Sequence, residues 1–143
     1  MTKTIVCGVD GSETAAAAAR TAAELALALG AHLHLVSAYG KLKAETIEVG
    51  SDRMLLSNEQ EAETTARQVE LDLRRDFAGL DVSSGAAEGQ PAEALVSVAG
   101  TREASMIVVG NKRTQGIARV LGSIARDVVA HAPCDVHIAH THA

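Results

Sequence analysis

The chain has 143 residues, 47% of them hydrophobic, which is enough for one domain with one substantial core. Its 13 basic and 18 acidic residues give a net charge of −5, which argues against the basic face that nucleic-acid binding requires. With a single Tyr and a single Phe, the core must be built from Ala, Val, Leu and Ile. We therefore expect one domain over residues 1–143 and no nucleic-acid partner.

The two cysteines, Cys7 and Cys134, lie in apolar runs that have the character of strands. No Cys-x-x-Cys motif is present, so both are predicted to be small core side chains rather than a disulfide or a redox pair. The apolar run over residues 5–9 is too short for a secretory signal, and no run reaches the length of a membrane span. We expect a cytoplasmic protein with no membrane partner.

The first half of the chain alternates strand-like and helix-like segments. Apolar residues 4–9 predict a strand covered on both faces, and residues 31–38 predict a second one. Between them Ser12 is the expected N-cap of a helix that Gly30 ends. The inner face of this helix is predicted from apolar residues at helical spacing, namely Ala15, Ala18, Ala22, Leu25 and Leu29.

Residues 39–55 are irregular and of mixed charge, and this is long for a connection, so a flap or an ordered lid is expected. A long helix is then predicted from about Ser57 to Phe77. One side of it is apolar (Ala62, Ala66, Val69, Leu73 and Phe77), and charged residues cover the other. A weaker third strand over residues 80–86 is expected at a sheet edge.

The second half continues the alternation, with a helix beginning near Pro91, a strand over 105–109, a helix over 123–131 and a strand over 135–140. Regular alternation predicts a single doubly wound five-stranded parallel sheet in the order 3-2-1-4-5 with helices on both faces. Such sheets bind ligands at the carboxyl ends of the strands where the order reverses. Here the first and fourth strands flank that point, and Asp10 and Gly110 follow them.

A glycine turn at Gly110, a short basic loop and a second glycine at Gly122 precede the fourth predicted helix. A helix N-terminus carries free N–H groups and partial positive charge, so it can hold a phosphate. Gly122 lets an anion approach the main chain, and Ser123 adds a hydroxyl. The segment predicts a phosphorylated ligand, most simply a nucleotide. The alternative is that Gly122 and Ser123 form only a turn and a cap, and that Asp10 only orders the turn after its strand.

Four segments in this order resemble the universal stress protein family over essentially the whole chain: Ile5-Val-Cys-Gly-Val-Asp-Gly-Ser12, Val108-Val-Gly110, Gly122-Ser123 and Ala132-Pro-Cys-Asp-Val136. In ATP-binding members the motif is Gly, two residues, Gly, nine residues, then Gly with Ser or Thr. In this chain Arg113 occupies the position of the second glycine, and eight residues rather than nine separate it from Gly122. The end of the motif, Gly122-Ser123, is intact.

The resemblance implies a phosphate-binding set. Gly110 and Asn111 would lie along the ribose and phosphates. At Arg113, where the chain departs from the family motif, two readings stay open: the side chain supplies charge in place of a glycine amide, or the missing glycine blocks the phosphate-binding loop. The phosphates themselves would be held through the amides and hydroxyl of Gly122, Ser123 and Ile124.

The same resemblance implies an adenosine-binding set. Gly8, Val9 and Asp10 would border the adenosine, and Ala38 would meet the adenine edge. Val109 would make an apolar contact. Small residues at strand ends leave room for a flat base, and a carboxylate can accept a hydrogen bond from an exocyclic amine or a ribose hydroxyl.

By this resemblance the chain is expected to be a stress-response regulator that binds ATP, with Mg²⁺ as a companion ion, and acts through ligand-dependent conformation. Two alternatives stay open: a protein-interaction module that binds no nucleotide, or a binder of cyclic AMP. The family commonly dimerises through its last strand, so a homodimer through Asp135 to His140 is expected, which also pairs an open sheet edge.

Enzymatic activity is not expected, although weak ATP hydrolysis stays open. The chain lacks a phosphate-binding Gly-x-x-x-x-Gly-Lys loop, a Gly-x-Ser-x-Gly nucleophile turn and the dinucleotide glycine fingerprint. His32 and His34 alternate along one predicted strand and share a face, yet no carboxylate or cysteine cluster stands at ligand spacing, so no metal site is expected.

Overall fold

The computed structural model describes residues 2–40, 51–112 and 121–141. These form a five-stranded sheet, all parallel, in the order β3-β2-β1-β4-β5, which confirms the predicted fold class and strand order. The strands are β1 Thr4–Gly8, β2 His32–Tyr39, β3 Val82–Glu88, β4 Met106–Lys112 and β5 Asp135–Thr141. The helices are α1 Glu13–Leu29, α2 Ser51–Asp76, α3 Pro91–Thr101 and α4 Ser123–His131.

Each face of the sheet carries its own apolar core, because alternate residues of a strand point to opposite faces. On β1, Ile5 and Cys7 are fully buried in the core on the side of α1 and α2. Val6 faces the opposite core, where Leu95 of α3 and Val128 of α4 pack. Helices therefore cover both faces of the sheet, as predicted, and they leave the ends of the strands uncovered.

Helix α1 packs through small side chains. Ser12 caps it by accepting a hydrogen bond from the Ala15 amide at 3.1 Å, and Gly30 ends it with a left-handed φ of 66°, both as predicted. The predicted inner face is wrong at its end, because Leu29 is 50% exposed. The buried face consists of alanines instead, which allows the helix to approach the sheet closely (Ala18, Ala19, Ala22, Ala23 and Ala26).

Two predicted boundaries are also wrong. Helix α2 begins at Ser51, so the end of the predicted irregular segment 39–55 is helical, while residues 41–50 lie outside the described part of the chain. Strand β4 continues through Lys112, so Gly110 is not in a turn. The extension is explained by pairing, because β5 runs on to Thr141 and aligns Gly110 with Ala139 and Lys112 with Thr141. Within the described ranges, no helix is both long and apolar enough to cross a bilayer.

Candidate functional site

A cavity of about 250 Å³ lies at the carboxyl ends of β1, β2 and β4, where the strand order reverses. All three strands, the start of α1, α3 and the first turn of α4 contribute to its wall. The lining residues are Gly8, Val9, Asp10, Ser12, Thr14, Ala15, Val36, Ala38, Pro91, Leu95, Val109, Gly110 and Ile124. This is the end of the sheet at which the strand pattern predicts a ligand.

Most residues of the predicted adenosine set line this cavity, namely Gly8, Val9, Asp10, Ala38 and Val109. From the predicted phosphate set only Gly110 and Ile124 do so. The remaining described members, Asn111, Gly122 and Ser123, are not among the lining residues, and Arg113 lies outside the described residues.

Several lining residues were missed from sequence, and all of them belong to elements whose approach to the cavity depends on packing. Val36 and Leu95 have ordinary apolar core patterns, and Pro91 opens a helix, so nothing local marks them as ligand contacts. Thr14 and Ala15 lie in the first turn of α1. Only the close approach of that turn to β4 brings them to the cavity.

The turn after β1 is ordered by its own side chains. Asp10 Oδ1 accepts a hydrogen bond from the Ser12 amide at 2.9 Å, and Gly11 takes a φ of 85°, a conformation that disfavours other residues. The alternative role predicted for Asp10, ordering this turn, is therefore confirmed. Because Asp10 is also exposed on the cavity wall, its carboxylate is available to a ligand as well.

Two glycines of the cavity wall allow helices to lie close to the sheet. A Cβ on Gly8 would be 3.0 Å from Leu95 Cδ1, and a Cβ on Gly110 would be 3.2 Å from Ala18 Cβ. A side chain at residue 110 would push α1 outward, because the Thr14 carbonyl oxygen lies in its way, whereas a side chain at residue 8 would require the Leu95 side chain of α3 to shift. Glycine at both strand ends therefore permits close helix packing, and it also leaves no side chain to project into the cavity.

The N-terminus of α4 stands beside the cavity. Gly122 is its N-cap with an ordinary φ of −63°, and its N–H donates to Asn111 Oδ1 at 2.7 Å. A Cβ on Gly122 would be 3.2 Å from the same oxygen. Ser123 and Ile124 follow in the first turn, which contains no acidic residue, and both are exposed. The helix end is thus exposed at these two residues, and its dipole favours an anion.

A second, more polar cavity of about 670 Å³ adjoins the first, since Asp10 and Ala38 line both. Its remaining lining residues come from the end of β2 and from α2: Ser37, Tyr39, Gly40, Gln60, Glu61, Ala62, Thr64 and Thr65. Burial and then the Glu59 carboxylate raise the pKa of Tyr39, so its hydroxyl stays protonated at neutral pH.

Away from the cavities, two partly buried polar clusters link β2 and β3 to their surroundings. Ser83 Oγ lies 2.8 Å from His32 Nε2 and 2.7 Å from His34 Nδ1, and His32 Nδ1 lies 3.0 Å from Asp81 Oδ2. On the other face, Glu70 accepts from Ser84 and from Arg74. Neither cluster lines either cavity, and residues 2–40, 51–112 and 121–141 contain no group of three or more His, Cys, Asp or Glu suited to a metal ion.

Comparison with known proteins gives one consistent result. Residues 1–140 match the family model described as universal stress protein family. The universal stress protein Rv1636 of Mycobacterium tuberculosis is 32% identical over 150 residues, covering 97% of each chain. A universal stress protein of Thermus aquaticus is 33% identical over 139 residues, covering 95% of this chain and 97% of the relative.

Solved structures agree. A universal stress protein crystallised in complex with cAMP superposes with a TM-score of 0.72 at 28% identity, covering 98% of both chains. A universal stress protein from Archaeoglobus fulgidus, in complex with dAMP, superposes with a TM-score of 0.68 at 23% identity over 96% of this chain and 97% of that one, which supports the fold alone. From the family match, the curated relatives and the fold together, this chain belongs to the universal stress protein family.

Proposed function

We propose that the protein binds an adenine nucleotide, with the nucleoside in the 250 Å³ cavity and the phosphate directed toward the N-terminus of α4. The observation that carries the proposal is Ile124, which joins the two parts because it lines the cavity and also belongs to the first turn of α4. A nucleoside held in the cavity therefore brings its 5′ side close to amides that favour an anion.

The apolar part of the cavity wall suits a purine. Val36, Leu95 and Val109 can contact the faces of a flat base, while Asp10 offers a carboxylate to an exocyclic amine or a ribose hydroxyl. The similar universal stress protein crystallised in complex with cAMP has a ligand with an adenine base, which supports adenine here. The glycine motif favours ATP with Mg²⁺, whereas the cAMP complex favours a cyclic monophosphate.

We propose a regulatory rather than a catalytic role. Among the residues that the structure describes, neither cavity is lined by a serine or cysteine nucleophile hydrogen-bonded to a histidine, and the Asp81–His32–Ser83 chain lies elsewhere on the sheet. The helices α1, α3 and α4 all contribute to the cavity wall, so a bound ligand would instead change how they pack. A partner protein can recognise that change.

Isothermal titration with adenosine, AMP, cAMP and ATP, the last with and without Mg²⁺, tests the proposal. Ala38→Leu adds volume inside both cavities and is expected to weaken every adenine ligand by at least tenfold. Ala28→Leu, on the exposed side of α1, is the matched control and should bind as the wild type does. No heat with any of the four ligands at millimolar concentration would refute nucleotide binding.

A second variant tests the placement of the phosphate. Gly122→Val puts a branched side chain beside Asn111 Oδ1, at the helix end where the phosphate is expected. It should weaken ATP more than it weakens adenosine, because adenosine has no group that reaches α4. Equal effects on the two ligands would show that the phosphate lies elsewhere.

We also propose a homodimer through the last strand. Strand β5 is an edge of the described sheet, and Val129 of the neighbouring helix α4 is 50% exposed. An edge strand with half-buried Val136 and Ile138 gains backbone pairing and apolar contact from a second copy. Light scattering should give twice the chain mass at high micromolar concentration, and Ile138→Lys should halve it. A monomeric mass for the wild type would exclude this interface.

A further inference from the structure

We propose that Asn111 sets how many phosphates the nucleotide site accepts, by holding the Gly122 amide that a distal phosphate needs. The inference rests on the proposed function. It concerns Asn111, a residue of β4 that is not among the residues lining the cavity.

The order of the amides at the start of α4 is the first step. Ile124 lines the cavity, whereas Ser123 and Gly122 precede it along the chain and are not lining residues. Going outward from the nucleoside, a growing phosphate chain thus meets the Ile124 end of the turn first and the Gly122 end last. A monophosphate can be held near Ile124 and Ser123, while a triphosphate must extend to Gly122.

The second step is that the Gly122 N–H already has a hydrogen-bond acceptor. Its N–H donates to Asn111 Oδ1 at 2.7 Å, a short and therefore favourable hydrogen bond. The carboxamide oxygen also lies 3.2 Å from where a Cβ on Gly122 would stand, so it covers the side of the cap residue that an anion would approach. A distal phosphate has to displace this oxygen, whereas a single phosphate does not.

The third step is the electrostatic character of the covering group. The Asn111 carboxamide oxygen is an acceptor with partial negative charge. It therefore repels a phosphate oxygen that approaches the Gly122 N–H to which it is hydrogen-bonded. Displacement therefore costs the Gly122–Asn111 hydrogen bond. A net contribution typical of protein hydrogen bonds corresponds to about a fivefold loss of affinity for ligands that need the Gly122 amide.

The test compares ATP with AMP on the full chain by isothermal titration, using adenosine as a reference for the cavity. Wild type should bind AMP more tightly than ATP. Asn111→Ala frees the Gly122 amide and should raise the ATP-to-AMP affinity ratio about fivefold. Asn111→Asp keeps the acceptor and adds a negative charge, so it should lower that ratio below the wild-type value. Gln68→Ala, an exposed amide on α2, is the control and should leave the ratio unchanged.

The outcomes separate this inference from the proposed function. If AMP and ATP both bind and Asn111→Ala leaves their ratio unchanged or lowers it, Asn111 does not cover the Gly122 amide against phosphate, and only this inference fails. If neither nucleotide nor adenosine binds the folded wild type, the proposed function fails and this inference fails with it. Amide exchange at Gly122, faster in Asn111→Ala than in Gln68→Ala without ligand, supplies a readout that is independent of affinity.

Discussion

Gly110 in β4 and Thr14 in α1 approach each other so closely that a Cβ on Gly110 would lie 3.0 Å from the Thr14 carbonyl oxygen. The neighbouring Thr14 Cγ2 would be at 3.1 Å. The obstacle is main chain rather than the end of a flexible side chain, so helix and strand would have to separate to admit a methyl group. The absence of a side chain at residue 110 is therefore what lets α1 seat against the sheet beside the cavity.

Gly110→Ala should consequently destabilise the fold by about 1–3 kcal/mol, the usual cost of overpacking. Gly100→Ala is the matched control, because nothing lies within 4 Å of its Cβ position and it stands in the exposed part of α3. Removing a helical glycine should stabilise by about 0.5–1 kcal/mol. Urea unfolding of both variants measures the two effects, and a neutral Gly110→Ala would mean that α1 moves away freely.

Gly110 also shows where prediction from sequence stops. Its position after a strand and at the predicted switch point could be derived from periodicity, and so could the strand order. Its location inside β4 could not, because the extension through Lys112 depends on pairing with residues about 30 positions further along the chain. The contact with α1 requires the distance between two packed elements, which no local pattern contains.

Local signals were reliable where one residue controls one hydrogen bond or one dihedral angle. Ser12 caps α1 and Gly30 ends it because each conformation is decided within a few residues. Leu29 was misplaced because helical spacing alone cannot say whether leucines or alanines face a sheet. Of the residues that line the cavity, strand-end residues such as Gly8 and Ala38 are among those predicted from sequence, whereas Val36 and Leu95 are not, because their apolar character matches both core and ligand contact.

The protein should lose stability as the pH falls below neutral, because of His34. Burial first, and then the positive charges of Arg102 and His32, lower the pKa of His34 to about 4, against a smaller opposite effect of Glu70. Between pH 6.5 and 4 the unfolded chain therefore binds more protons at this residue than the folded one. Stability is full above pH 6.5 and is lost as the pH falls toward 4, by up to about 3 kcal/mol.

Urea unfolding at intervals from pH 7.5 to 4.5 tests this effect. His34→Gln cannot titrate and should show a shallower pH dependence than the wild type, even if it is less stable at pH 7.5. Exposed His131, whose Nδ1 contacts only the Asp127 carbonyl among the described residues, offers the control His131→Gln, which should keep the wild-type slope. A slope unchanged in His34→Gln would assign the acid sensitivity to another group.

Glu70 is another buried titratable group, and it joins α2 to β3. Its Oε1 accepts from Ser84 Oγ at 2.6 Å, and its Oε2 accepts from Arg74 Nε at 2.9 Å. Burial alone would raise the pKa of Glu70, but these hydrogen bonds and the charges of Arg74 and Arg67 outweigh it and lower the pKa. The carboxylate is therefore the form that the fold requires.

Glu70→Gln should destabilise by about 1–3 kcal/mol at pH 7, since it removes charge-assisted hydrogen bonds to a buried group. Glu63→Gln, on the exposed side of the same helix, should stay within about 0.5 kcal/mol of the wild type. The loss of stability in Glu70→Gln should also depend on pH. The loss caused by Glu70→Gln should shrink in acid, because protonation of Glu70 in the wild type removes the same interactions.

The two cysteines should differ sharply in reactivity, because only the thiolate reacts and burial opposes its formation. Burial raises the pKa of Cys7 to about 12, and its side chain has no exposed surface in the core between β1 and α1. Cys134 is half-buried, and its pKa is raised by burial and then by Asp135, so it reacts more slowly than a free thiol but is reachable.

A thiol titration at pH 8 tests this difference. About one thiol per chain should react in the native protein, and two should react in the urea-unfolded protein. Cys134→Ser should abolish the native signal, whereas Cys7→Ala should leave it in place. A native protein in which both thiols react at the same rate would mean that the sheet around Cys7 opens as readily as the segment before β5, contrary to the complete burial of the Cys7 side chain.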